Sequence, residues 1–151
     1  MKDAIETIRF RGYDIQIFVD DSAESPEELG DEGLFLVGYH RDFTVDRISQ
    51  GLAQAIARGG TYEDGSTNDE AKDYIKKFHV FGLEAYIHSG VALALSNEGN
   101  FPDRQWDVSQ LGLVFASRKE WRSRKQARAA ALGLIETWNQ YLGGDIYGYI
   151  I

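Results

Sequence analysis

The chain has 151 residues, no cysteine, and 24 acidic against 16 basic side chains, which gives a formal net charge of −8. A hydrophobic content of 43% at this length predicts a single domain, residues 1–151, with a real core. The missing cysteines exclude a disulfide framework, and no stretch reaches the roughly 18 apolar residues of a membrane span. Because no apolar leader follows Met1, we expect a cytoplasmic protein.

The acidic charge is concentrated in the first half of the chain. Residues 1–75 hold 17 acids and 7 bases, whereas residues 76–151 hold 7 acids and 9 bases, so the halves carry −10 and +2. The densest run, the acidic segment of residues 20–32, contains no base and seven acids: Asp20, Asp21, Glu24, Glu27, Glu28, Asp31 and Glu32. Such a field repels nucleic acid and attracts basic surfaces, so we predict a partner-binding surface. The alternative is a solvated acidic turn.

In chain order, the first half predicts a hairpin, a short helix, a buried strand and two further helices. The apolar alternation of residues 5–10 and 15–19 is typical of paired strands. Residues 25–28 form a capping box for one helical turn, and 34–39 read as a buried strand. Asp46 is the expected cap of a helix ending at Arg58, and a box at 67–70 opens a helix that reaches Phe78.

The second half predicts strands at 80–87, 91–95 and 111–116. A capping box at 117–120 starts the longest helix, about 118–142, and residues 145–151 alternate like a terminal strand. Because strands and helices do not alternate strictly, we predict an α+β fold. Its expected form is an antiparallel or mixed sheet with helices packed on one face and a long C-terminal helix followed by a terminal strand.

Two polar clusters, at residues 86–90 and 106–112, lie beside strand-like apolar runs. If the strand ends are neighbours, His88 and Asp107 meet in a shared polar recess. We therefore predict ligand-binding residues drawn from these clusters and from the end of an earlier strand: His88, Ser89, Trp106, Asp107, Gln110 and His40. The alternative is that these side chains only build a core and a dimer interface. His79 reads as the tail of a helix with a structural role.

Known catalytic patterns are absent from the sequence. No nucleophile elbow of the form G-x-S-x-G accompanies Ser89, and no H-E-x-x-H or comparable spacing indicates a metal site. We predict no catalytic residue, metal or cofactor, and lean against an enzyme.

Six bases occupy the start of the longest predicted helix: Arg118, Lys119, Arg122, Arg124, Lys125 and Arg128. We expect them to pair with the acidic segment, within one molecule or across a dimer, and phosphate or an acidic partner is the alternative.

Five motifs follow one another along the chain: Asp21 with Ser25-Pro26, then His40-Arg41, then Y-I-H-S-G at 86–90, W-D-V-S-Q-L-G at 106–112, and residues 138–149. Their order resembles a family of small bacteriophage and mobile-element proteins. The family pattern has aspartate where Ile87 stands and Ser-Gly where Val108-Ser109 stand. The resemblance covers most of the chain, and it implies a phage context more than a defined chemistry.

These observations lead to two predicted functions. The first is a phage-type accessory protein that binds and inhibits a host defence component in the host cytoplasm, as an anti-CRISPR or antirestriction factor, with the acidic segment mimicking nucleic acid. The alternative is a small-ligand or nucleotide-signal binding protein or hydrolase using the His88/Asp107 cluster. A host defence protein or complex is the expected partner, with no direct nucleic acid and no membrane. Whether the chain also forms a homodimer is left open.

Overall fold

The computed structural model describes residues 3–29, 31–87, 90–96 and 108–151. In chain order their elements are β1 (Glu6–Phe10), β2 (Tyr13–Val19), α1 (Pro26–Leu29), β3 (Leu34–His40), β4 (Phe43–Val45), α2 (Gln50–Ala57), α3 (Asp69–Lys77), β5 (Phe78–Ile87), β6 (Val91–Leu95), β7 (Val108–Ser117), α4 (Arg124–Leu142) and β8 (Tyr147–Ile150). Mixed helices and antiparallel sheets, with a long C-terminal helix before a terminal strand, confirm the predicted α+β class.

The larger sheet has five strands in the order β4-β3-β7-β5-β6, and each neighbouring pair is antiparallel. Its central strand, β7, carries a β-bulge. Leu83 of β5 lies opposite Gly112, whereas the next residue, Glu84, lies opposite Gln110. Leu111 is therefore the extra residue, and a bulge of this kind turns the following side chains to new faces of the sheet.

Helices cover both faces of the larger sheet, whereas the sequence led us to expect helices on one face only. Helix α4 packs on the face that includes Leu36 and Val114. Helices α2 and α3 pack on the opposite face, which includes Phe35, Val37 and Phe115. The physical reason lies in the continuous apolar run of β3. Because alternate residues of a strand point to opposite sides, such a run supplies two apolar faces, and both require cover.

An amide on α4 binds the backbone of β6, which is an edge strand of the larger sheet. The side-chain oxygen of Asn139 accepts a hydrogen bond from the Leu93 N–H at 2.7 Å. Its side-chain nitrogen donates to the Leu93 carbonyl oxygen at 3.0 Å. Asn139 therefore takes the place of a neighbouring strand at one residue of an edge that would otherwise present unpaired backbone groups.

Strands β1, β2 and β8 form a separate small sheet with β2 in the middle. The predicted hairpin is confirmed, and its two turn residues, Arg11 and Gly12, have positive φ angles of 49° and 85°. A two-residue turn of this conformation matches the natural twist of paired strands. At the other end of the small sheet, the Asp20 N–H donates to the Ile146 carbonyl oxygen at 2.7 Å.

The predicted start of the longest helix is wrong. Helix α4 begins six residues later than the box at 117–120 indicated, with Ser123 as its N-cap and the Ser123 hydroxyl accepting from the Gln126 N–H at 3.1 Å. Ser117 lies instead in β7, opposite Phe78, and its N–H donates to the Gly33 carbonyl oxygen at 2.7 Å. Strand pairing therefore prevailed over a local capping signal.

Two other predicted helix caps are displaced by one and three residues. Helix α3 is capped by Asn68 rather than by Thr67, which forms a β-bridge with Thr61. Helix α2 is capped by Ser49 rather than by Asp46. The capping box of α1 is confirmed, since Ser25 and Glu28 exchange hydrogen bonds at 2.9 and 3.2 Å.

Candidate functional site

The strands that flank the predicted polar recess end at the same side of the larger sheet. Tyr86, near the end of β5, lies opposite Val108 at the start of β7, and β3 runs antiparallel to β7 towards that side. Four of the predicted ligand-binding residues lie outside the described residues: His88, Ser89, Trp106 and Asp107. Of a fifth, Gln110, the structure describes only the backbone. Their role in ligand binding stays a prediction.

His40 ends β3, and its surroundings are those of a turn. Its Nδ1 accepts a hydrogen bond from the Asp42 N–H at 3.1 Å. It lines an open depression of about 420 Å³ together with Tyr39. The Tyr39 hydroxyl donates to the Ile48 carbonyl oxygen at 2.7 Å. Burial, and then the Asp46 carboxylate, raises the pKa of Tyr39 to about 12, so this hydroxyl stays protonated at neutral pH.

His79 lies within β5 rather than at the tail of a helix, and it is buried. Its Nε2 lies 2.8 Å from the Trp121 carbonyl oxygen, so it ties β5 to the connection that leads into α4.

Much of the acidic segment is engaged in local structure. The Glu27 carboxylate binds Arg47 through two contacts of 3.1 and 3.2 Å, and Arg47 also donates to the Asp31 carbonyl oxygen at 2.9 Å. The Asp31 carboxylate accepts from the Gly33 and Leu34 N–H groups. Arg47, which is not among the six bases that we expected to pair with this segment, therefore helps to hold it in place.

Two other acids of the segment serve turns and a helix start. The Asp20 carboxylate accepts from both the N–H and the hydroxyl of Ser22. Glu28 belongs to the capping box of α1. The exposed carboxylates that remain for a partner include Glu24 and Glu32.

Glu32 lies on the rim of a groove that also includes side chains from α3. This acidic groove has a volume of about 360 Å³ and is lined by Glu32, Phe35, Arg47, Glu70, Asp73, Tyr74, Lys77 and Phe78. Its aromatic rings contact one another: the ring centres of Phe35 and Phe78 are 5.6 Å apart, and those of Tyr74 and Phe78 are 5.9 Å apart. The groove therefore combines an aromatic floor with a charged rim.

The charges on the rim differ in their partners. Asp73 forms an ion pair with Lys77 at 2.9 Å, and Arg47 is paired with Glu27. Glu32 and Glu70 are exposed and form no ion pair within the part of the chain that the structure describes. With the bases matched by acids, these two carboxylates give the groove its negative charge.

Two of the six bases line a different cleft, of about 410 Å³. The Arg118 Nε donates to the Ile75 carbonyl oxygen at 3.2 Å, and the Arg124 Nη2 donates to the Val80 carbonyl oxygen at 2.9 Å. The Arg124 guanidinium also lies 4.1 Å from the centre of the Phe81 ring. These two arginines bind backbone carbonyl groups of α3 and β5, and among the described residues neither contacts the acidic segment.

Sequence reasoning identified one wall of the acidic groove and missed the other. Glu70 and Asp73 are three residues apart on α3, with Tyr74 four residues after Glu70, so all three share one side of the helix. That spacing was a usable signal. Glu70 lies across the groove from Glu32 because Tyr74 and Phe78 pack against the larger sheet. No local sequence pattern predicts that packing.

Within residues 3–29, 31–87, 90–96 and 108–151, no group of three or more potential ligand side chains could hold a metal ion. None of the described helices is both long and apolar enough to cross a membrane. Comparison of the chain with protein-family models, curated proteins and solved structures finds no match.

Proposed function

We propose that this protein is a phage-type accessory protein that binds a host defence protein or complex and inhibits it, with the acidic groove as its contact surface. The proposal rests on one observation: two exposed carboxylates, Glu32 and Glu70, lie on the rim of a groove whose floor is aromatic. Lysine and arginine side chains combine an apolar stem with a cationic end. The expected occupant is therefore a basic segment of a protein.

A cationic side chain that enters the groove gains two kinds of attraction. A cation over an aromatic face contributes about 0.5–2 kcal/mol. An opposite charge about 4 Å away contributes up to about 4 kcal/mol near a protein surface, before desolvation and salt reduce it. Arg47 already makes both contacts within the molecule, since its guanidinium lies 4.2 Å from the Phe35 ring centre and pairs with Glu27.

Inhibition follows from competition for the same basic side chains. An enzyme that acts on nucleic acid places lysine and arginine where the phosphate backbone binds. The charge of −10 over residues 1–75 attracts such a surface and accelerates encounter at low salt. A partner held at the acidic groove would lose access to its nucleic acid.

The test is affinity purification from bacterial lysate with the wild-type protein and with the double variant E32K/E70K. We expect the wild type to retain a nucleic-acid-binding protein in stoichiometric amount, and a DNA oligonucleotide to displace it. The double variant should bind the purified partner at least about 100-fold more weakly, because two attractive charges become repulsive.

The matched control is E136K/D145K, which changes the net charge by the same amount at exposed acids on and after α4. Helix α4 covers the opposite face of the larger sheet, so this variant should bind like the wild type. Equal losses in both double variants would reduce the effect to net charge and contradict the proposal, as would unchanged binding by E32K/E70K. A co-purifying small molecule in place of a protein would favour ligand binding at His88 and Asp107.

A further inference from the structure

One face of the small sheet is apolar and open to solvent. Register pairs Ile8 with Ile15, Phe10 with Tyr13, Ile17 with Tyr149, and Val19 with Tyr147, and paired residues lie on the same face. Five of these side chains are between 42% and 71% exposed: Ile8, Phe10, Tyr13, Tyr147 and Tyr149. We call this surface the aromatic face.

The opposite face of the hairpin carries the residues that normally meet water. Thr7 lies opposite Gln16, and Arg9 lies opposite Asp14, with which it forms an ion pair at 2.8 Å. The same face of the small sheet also carries Phe18, opposite Gly148, and Ile150, opposite Gln16. This face is therefore polar in the hairpin only, whereas the aromatic face is apolar across all three strands. Small sheets of this kind need a buried apolar face for stability, and exposed apolar patches of this size mark interaction sites.

The strands of the small sheet pack chiefly against one another, and β1 is exposed along its whole length. An aromatic side chain presents about 150–250 Å² of surface, so the five residues with the half-buried ones between them expose about 600 Å². Two such faces in contact would bury about 1,200 Å² in total, which is the lower bound for a specific interface.

The few charges on the aromatic face are arranged to suit a copy of itself. Glu6 stands at one end of β1, opposite Ile17. At the other end, the Arg11 guanidinium lies 5.2 Å from the centre of the Phe10 ring. A twofold axis that lies between the two sheets and runs across the strands reverses the strand direction, and in that arrangement Glu6 of one copy can meet Arg11 of the other. A protein with a net charge of −8 repels itself elsewhere, whereas this surface carries one charge of each sign.

We propose that a second copy of this chain covers the aromatic face, forming a twofold dimer in which the two small sheets pack face to face. The aromatic face shares no residue with the acidic groove, which is lined by residues of β3, α3 and β5 together with Glu32 and Arg47. The dimer would present two acidic grooves to a partner.

The test is sedimentation equilibrium of the intact protein between about 1 and 100 µM. We expect a mass of twice 17.0 kDa, and a dissociation constant at least about 100-fold higher for Y13K/Y149K. The matched control is T7K/Q16K, which places two lysines on β1 and β2, in the same sheet but on its opposite face, and should dimerise like the wild type. Circular dichroism establishes that each variant is folded.

A charge swap tests the twofold arrangement without disturbing the aromatic side chains. E6R and R11E should each weaken the dimer about 3- to 10-fold, and the double variant E6R/R11E should recover the wild-type constant. If the protein is still monomeric at about 100 µM, the proposal is overturned. This holds even if the monomer binds vesicles of neutral phosphatidylcholine through the aromatic face. A dimer that persists in Y13K/Y149K would overturn it as well.

Discussion

Asn139 offers the sharpest test of how α4 is attached to the larger sheet. Its amide accepts from the Leu93 N–H and donates to the Leu93 carbonyl oxygen, and Leu93 is only 3% exposed. Asn139→Ala removes both hydrogen bonds and leaves two buried backbone groups without a partner. Since each unsatisfied group costs about 1–3 kcal/mol, we expect the free energy of unfolding to fall by about 2–6 kcal/mol.

Asn139→Asp tests the two hydrogen bonds separately, because it keeps the acceptor oxygen and replaces the donor nitrogen with a second oxygen. The carboxylate keeps the bond from the Leu93 N–H, but its second oxygen then faces the Leu93 carbonyl oxygen, which is a repulsive contact. Burial and this contact should raise the pKa of the introduced carboxyl above its unfolded value. Stability is then retained below the unfolded pKa of about 3.9 and lost as the pH rises through the folded pKa.

Urea unfolding of wild type and Asn139→Asp at about pH 7.5 and about pH 4.5 measures this effect. We expect a loss of about 3 kcal/mol relative to wild type at the higher pH, with at least about 1 kcal/mol recovered at the lower pH. Gln140→Ala, an exposed change on the same turn, should stay within about 0.5 kcal/mol. A difference between Asn139→Asp and wild type that does not vary with pH would refute the reasoning.

Three further predictions concern β3, β7 and α4. Burial and Asp46 raise the pKa of Tyr39 to about 12. This shift contributes stability that is present below about pH 10 and is lost as the pH rises to about 12. Unfolding measured across this pH range, with absorbance at 295 nm to report tyrosine ionisation, will follow the loss. Gly112→Ala places a Cβ on the Val37 carbonyl oxygen and should cost about 3 kcal/mol or more by urea unfolding. Ser123→Ala removes the N-cap of α4 and should cost about 1 kcal/mol, with reduced helical circular dichroism.

Each of these predictions has a matched control. Tyr39→Phe should remove the loss of stability at alkaline pH. A loss that persists in this variant would have to come from other titrating groups. Gly133→Ala, at an open position on α4, should be neutral or stabilising, and an equal cost at both glycines would contradict the close approach of β3 to β7. Ser117→Ala should leave the helical signal unchanged, and a larger loss there than at Ser123 would restore the earlier helix start.

Local patterns predicted most of the regular structure because apolar periodicity is a local property. The strand Val91–Leu95 has the predicted bounds, and the terminal strand and first hairpin were identified. The strand Phe43–Val45 was missed, since three residues are too few for a pattern. It exists through pairing with β3 and through Phe43, whose ring centre lies 5.3 Å from that of Trp138.

The candidate site was less accessible to sequence reasoning. The acidic segment was predicted to be a partner surface from charge density alone, but its individual acids differ in ways that charge density does not distinguish. Glu27 is committed to Arg47, whereas Glu32 is exposed on the rim of a groove. Glu70, on the same groove, is 38 residues away along the chain, so its contribution depends on tertiary packing.

The position of β7 has a consequence for the order in which the molecule opens. It pairs with a strand on each side and has a helix layer above and below, and Val114, Phe115 and Ala116 are fully buried. Its amide protons should exchange with deuterated water only through global unfolding, whereas those of β1 exchange through local opening. Exchange measured by mass spectrometry should therefore divide the chain into a slow central strand and a fast hairpin. If the proposed dimer forms, dilution below its dissociation constant should accelerate exchange in the three strands of the small sheet and not in β7.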